Sequence, residues 1–227
     1  MHNYLLPFNL SEDALSKLAT YAVMLQNENK KVNLTAITDL EGIYIKHFYD
    51  CLNLNKVISK EIKNIIDIGS GAGFPGIPLK ISSPDINITL LEPTLKRVNF
   101  LNKVINELKL EKIDVIPQRA EDFQKTLVNK YDAATSRAVA SLSVILELSA
   151  PLVNVGGHIY ALKGQNYETE IEASKNALNV LGCKIFNLYQ YELPNDQGSH
   201  VIIDIIKVKE TPPIYPRHYS KIKKQPL

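Results

Sequence analysis

Two cysteines in 227 residues, Cys51 and Cys183, are too few and too far apart for a disulfide scaffold. Neither sits in a Cys or His spacing of the kind that holds zinc, so reduced thiols and no metal are expected. No stretch approaches the ~20 uninterrupted apolar residues that a membrane-crossing helix needs. The opening MHNYLLPFNLSED lacks the basic head, apolar run and small-residue cleavage site of a secretory signal, so export is not expected. Repeats and low-complexity segments are missing as well. What is present, 45% apolar and 22% charged residues, suits a globular, cytoplasmic, monomeric chain with room for one substantial core.

The net charge of +2 conceals an uneven distribution. From Lys207 onward Lys207, Lys209, Arg217, Lys221, Lys223 and Lys224 face one acid, Glu210, giving this end +5 and the rest −3. A basic end on a mildly acidic body suits a polyanion contact and suits a solvated tail equally well.

Residues 11–31 read as an amphipathic helix, with Ser11 able to cap it and Leu15, Leu18, Ala22 and Leu25 on one face. A second helix is expected from about Asp39 to about Val57, with Ile43, Tyr44 and Phe48 among its apolar positions. After this helical extension (1–60) the pattern changes. Short apolar runs at Asn64–Ile68, Ile88–Glu92, Ile113–Ile116, Tyr131–Thr135 and His158–Leu162 read as strands. Helical stretches at 95–108, 142–152 and 167–181 separate several of them. Lys184–Tyr191 and Val201–Val208, joined through Pro-Asn-Asp-Gln-Gly, read as a closing hairpin. The expected fold is α/β: a doubly wound, mostly parallel sheet over 61–210 with one antiparallel strand, followed by a basic tail at 211–227. That is the methyltransferase variant of the Rossmann-like sheet.

The first strand ends in Asp67-Ile68-Gly69-Ser70-Gly71-Ala72-Gly73-Phe74-Pro75-Gly76. Glycines such as Gly69 and Gly71 let a backbone turn sharply and leave nothing between it and a ligand. Gly71, Gly73 and Gly76 also form a literal GxGxxG, which by itself is a weak dinucleotide signal. A pyrophosphate wants open amides and no nearby negative charge. Here Pro75 lacks an amide and Asp67 places a carboxylate at the strand end, which suits the amino group and sulfonium of S-adenosylmethionine. Glu92, ending the second strand, stands where a carboxylate grips ribose hydroxyls. Glu121, after the third, can accept from an adenine amine.

The run Asp67–Leu79 (DIGSGAGFPGIPL) resembles the cofactor loop of the bacterial ribosomal RNA small subunit methyltransferase G family, also called glucose-inhibited division protein B. Further matches are NLTAI at Asn33–Ile37, Lys46-His47-Phe48, Lys96-Arg97 with Phe100-Leu101, Arg119-Ala120-Glu121, Ser136-Arg137-Ala138, Leu162-Lys163-Gly164 and Tyr215-Pro216-Arg217 with Pro226-Leu227. The tail departs from the family pattern, reading HYSKIKKQ where a glycine and a proline are usual. The resemblance implies an S-adenosylmethionine-dependent enzyme that methylates N7 of a guanine in 16S ribosomal RNA. It implies cofactor contacts from Gly69, Phe74, Ala120, Glu121 and Arg137. Arg137 could instead meet an RNA phosphate or brace the fold.

Guanine N7 carries a lone pair and no proton, so its methylation needs alignment and charge stabilisation but no general base. The post-strand segment Ser136-Arg137-Ala138-Val139 lacks the Asp/Asn-Pro-Pro-aromatic motif that serves exocyclic amines. Candidate RNA contacts are Lys46, His47, Lys163, Arg217, Lys221, Lys223 and Lys224, with Tyr215 and Tyr219 as possible stacking platforms. Competing expectations are a small-molecule or protein methyltransferase, a nucleotide-dependent oxidoreductase and a non-catalytic RNA-binding module.

Overall fold

The computed structural model describes residues 2–127 and 130–227. Seven strands form one sheet in the order β3-β2-β1-β4-β5-β7-β6. They are β1 (Asn64–Ile68), β2 (Asn87–Leu91), β3 (Ile113–Ile116), β4 (Tyr131–Arg137), β5 (Val153–Lys163), β6 (Cys183–Glu192) and β7 (Ser199–Lys207). β1 pairs in parallel with β2 and β4, β2 with β3, and β4 with β5. β7 runs antiparallel to both β5 and β6 and is the single reversed strand.

Alternation along the strands divides the sheet into two buried faces. Ile65, Leu90, Ala133 and Tyr160 point into one core, which holds Leu18, Tyr21 and Phe48 from the N-terminal helices and Ile77 and Phe100 from the crossovers. Ile66, Ile68, Leu91, Ala134 and Ile159 point into the other, beneath the helices Leu142–Ser149 and Lys175–Leu181. The N-terminal helices thus share a core with the sheet.

The first helix spans Glu12–Asn29, and the Ser11 side chain accepts the Ala14 amide while Glu12 and Asp13 occupy its positive end. The helix expected over 39–57 exists, capped by Asp39 on the Gly42 amide, but its middle widens to a π-helix over Ile43–Tyr49. The helix expected over 167–181 is two, Tyr167–Ala173 and Lys175–Leu181. Between them Ser174 is buried and its hydroxyl donates to the Glu170 carbonyl, a local bond that competes with straight propagation. The tail is not free: Tyr219–Lys224 form a short helix that buries Ile222 in the second core. No described helix is long and apolar enough to cross a membrane.

Candidate active site

A cleft of about 500 Å³ opens at the carboxyl ends of β1 to β4, where a doubly wound sheet offers its ligand site. Gly69 and Gly71 form its floor, with φ of 68° and 60°, values that suit glycine. A Cβ at Gly69 would strike Val139, whereas one at Gly71 would meet nothing closer than the Gly69 carbonyl at 3.9 Å. The space above Gly71 is therefore a cradle that a side chain would fill. Beside it, buried Glu92 spans two amides: Oε2 accepts from Gly71 at 3.0 Å and Oε1 from Thr94 at 2.8 Å. Arg97 adds a looser ion pair at 3.6 Å. Ala120 and Glu121 line the far side, and Glu121 Oε1 is buried with no hydrogen-bond partner. An uncompensated buried acceptor of this kind is costly unless a ligand supplies a donor.

Asp67 departs from expectation, for it does not line the cleft. Two residues after Ile65, it shares that residue's face of the sheet and lies fully buried beneath the glycine loop. Its Oδ2 accepts the Gly76 amide at 3.0 Å, while Oδ1 has no partner. Burial pushes its carboxyl up to about 7. Gly76 permits the approach, since a Cβ there would stand 2.8 Å from Asp67 Oδ2 and 2.3 Å from Leu90. The expected contact of this carboxylate with the cofactor is corrected to a brace under the loop.

The other wall is built around Arg137. Its Nη1 donates to the Lys46 carbonyl at 2.7 Å and to Asp50 Oδ2 at 3.1 Å, and Nη2 meets His47 Nδ1 at 2.8 Å. The guanidinium carbon lies 4.8 Å from the centre of the Phe74 ring, on which His47 also stacks at 4.3 Å. A guanidinium only donates, so His47 Nδ1 accepts and the ring proton sits on Nε2, 2.9 Å from Thr35 Oγ1. Burial first, and the Arg137 charge second, lower His47 to about 3, leaving it neutral. Asp50 completes the group, accepting on Oδ1 from Tyr191 (2.6 Å) and His200 (2.7 Å). Of the three readings open for Arg137, the ion pair is formed, on a residue that also lines the cleft.

Several expected RNA contacts are committed elsewhere. His47 is buried and neutral. Lys163 donates to the Ala140 carbonyl at 2.6 Å and to Glu170 at 2.7 Å. Arg217 forks onto fully buried Glu147, at 2.7 Å from Nε and 2.5 Å from Nη2, and adds its amide at 2.9 Å. Lys207 is also buried, on the Ala150 and Val153 carbonyls at 2.7 Å each. Lys46, Lys221, Lys223 and Lys224 remain exposed. Residues not foreseen at the site are Thr35, Asp50, Arg97 and Val139, while Tyr219 was expected only as a platform for RNA bases. Tyr219 brings the tail helix to the cleft, its ring under the Arg119 guanidinium at 5.4 Å. Thr35 lies within the NLTAI match and bonds the histidine of the KHF match, so two motifs noted separately meet here.

A model of the rRNA small subunit methyltransferase G family matches residues 14–210. The chain belongs to that family. A Clostridium perfringens protein named ribosomal RNA small subunit methyltransferase G is 42% identical over 220 residues, 96% of this chain and 92% of its own length. A Clostridium botulinum protein of the same name is 45% identical over 222 residues, with 96% and 93% covered. The fold is shared with M. jannaschii TYW2, solved in complex with AdoMet: 20% identity, 70% of this chain and 77% of that one, TM-score 0.53. Membership in the methyltransferase G family makes this chain a methyltransferase, with S-adenosylmethionine as its methyl donor. The cleft fits that donor. Glu92 keeps lone pairs for two hydroxyls, Glu121 Oε1 awaits a donor, and the cradle over Gly71 admits a ligand against bare backbone.

Proposed function

We propose that this chain transfers the methyl group of S-adenosylmethionine to N7 of a guanine in 16S ribosomal RNA, in the cytoplasm where that RNA is found. The N7 reading is carried by the match of the methyltransferase G family model to residues 14–210. The cleft-wall imidazole of His47, bonded at both nitrogens and held neutral, is in keeping with an acceptor such as guanine N7 that releases no proton. The names of relatives along nearly the whole chain point to small-subunit RNA. Bound S-adenosylmethionine supplies an electrophilic methyl group on a cationic sulfur. In this reading Glu92 holds the ribose, Ala120 and Glu121 border the adenine, Gly69 and Gly71 leave room for the chain between them, and Phe74 backs the wall through His47 and Arg137. Exposed Lys46, Lys221, Lys223 and Lys224 meet RNA phosphates.

The test is to incubate the purified protein with 16S RNA and labelled donor, then cleave the RNA by reduction and aniline, which break the strand at N7-methylguanine. One strong break at a single guanine is expected. Label incorporated without a break would move the methyl to another atom, and no incorporation into any ribosomal RNA would overturn the reading.

A further inference from the structure

Next to the cofactor cleft lies a second cavity of about 660 Å³, and His47, Arg137, Ala138 and Val139 line both voids. It sits past the ends of β4 and β5 and is closed by Glu170 from the helix Tyr167–Ala173 and by Gln197 and His200 around the β6–β7 turn. Most of its polar groups are spent on one another. Asp50 accepts on both oxygens, Lys163 is held by Glu170 and the Ala140 carbonyl, and Glu170 Oε2 also takes the Leu142 amide at 2.8 Å. Two side-chain acceptors are left without a donor. Gln197 Oε1 is buried without a partner, and among the described residues nothing donates to Glu170 Oε1.

We propose that this cavity receives the target guanine, with Glu170 and Gln197 reading its N1–H and N2 amine. The proposal rests on the function argued above and extends it to the base site. A ligand that satisfies both acceptors must bring two donor groups. Guanine alone among the four RNA bases does so on its Watson–Crick edge. Adenine and cytosine each set a ring acceptor beside their amine, and uracil has one N–H between two carbonyls. An acceptor facing Gln197 Oε1 would leave that buried oxygen unpaired, which is the strong form of discrimination. The same contact fixes orientation. Glu170 and Gln197 line the second cavity and not the cofactor cleft, while N7 lies on the purine edge opposite N1 and N2. Held by that edge, the base turns N7 toward the border where the two voids meet, and so toward the methyl donor.

In the transfer the N7 lone pair forms the new N–C bond as the C–S bond breaks and its electron pair stays on sulfur. One positive charge passes from sulfur to purine and no proton leaves. That charge acidifies N1–H, so a carboxylate accepting from it stabilises the transition state more than the ground state.

Once the methylated guanine is mapped, 16S RNA ligated with inosine at that position tests the assignment, because inosine keeps N7 and N1–H but lacks the N2 amine. Wild type should prefer guanosine by about 10- to 100-fold in kcat/KM, the size of one lost buried contact. In Gln197→Leu that preference should collapse toward unity, with S-adenosylhomocysteine affinity unchanged by calorimetry. Glu170→Gln should lower kcat on guanosine more than it raises KM. Because Glu170 also caps Leu142, Gln197→Leu decides the matter if Glu170→Gln is poorly folded. Full guanosine preference retained in Gln197→Leu would overturn the base site while leaving the function standing. A wild type that makes no N7-methylguanine would overturn the function and this site with it.

Discussion

Arg137 shows how one side chain can fix the tautomer of another and add to what burial does to its protonation. It donates to a carbonyl, a carboxylate and an imidazole at once, from a planar fork that lysine lacks. Arg137→Lys should therefore free the π-helical turn and let His47 rotate away from Phe74. A lower melting temperature is expected, with at least a 10-fold loss in kcat/KM, and a variant that melts and turns over like wild type would remove Arg137 from the wall. Asp67 carries a different consequence. Its carboxyl titrates at about 7 when folded and near ~3.9 when unfolded. Between those values the folded chain keeps a proton that the unfolded chain has released. Stability from this group is therefore full below about pH 4, declines as pH rises to about 7, and stays low above. Asp67→Asn keeps an acceptor for the Gly76 amide but does not ionise. Its melting temperature should gain on wild type more at pH 8 than at pH 4.5, and an equal offset at both would show that Asp67 is not the titrating group.

Among the elements, strands were readable to within a few residues because buried parallel strands are short apolar runs with sharp ends, as at Asn64–Ile68 and Ile113–Ile116. The widened turn at Ile43–Tyr49 was not, since the donor that takes the Lys46 carbonyl lies 91 residues away. Asp67 was legible in principle: counting by twos from Ile65 puts it under the loop and not at its rim. The tail helix was the largest omission. Tyr219–Lys224 carries no periodic apolar signal long enough to read, and its anchor, Arg217 on Glu147, joins a basic tail to a mostly apolar helix whose one charged residue is that acid. Glu147 is fully buried, so removing its partner leaves an unpaired interior charge, at a cost of about 3–5 kcal/mol. Arg217→Ala should accordingly lower the melting temperature and, by unseating Tyr219 from the cleft, weaken S-adenosylhomocysteine binding about 10-fold. Unaltered cofactor affinity in a destabilised Arg217→Ala would confine the tail's role to stability.

At the scale of the whole molecule, formal charge is a poor guide to the field an RNA meets. The +5 of the last residues shrinks once Lys207 is inside the core and Arg217 is neutralised by Glu147. Lys209, Lys221, Lys223 and Lys224 are left exposed, the last three on the helix whose Tyr219 borders the cofactor cleft and whose Ile222 is buried. Three of these four charges thus ride on the helix that borders the cleft, where they can steer a phosphate chain. Each lysine that meets a phosphate adds about 0.7 to 0.9 to the slope of log affinity against log salt. Reversing all three to glutamate should therefore flatten the slope for 16S RNA by about 2 or more, with the melting temperature and S-adenosylhomocysteine affinity of wild type retained, because none of the three is buried. Filter binding of wild type and variant across a range of potassium chloride measures it. An unchanged slope would mean that the RNA approaches from the Lys46 side of the cleft instead, and the tail helix would then serve the cofactor alone.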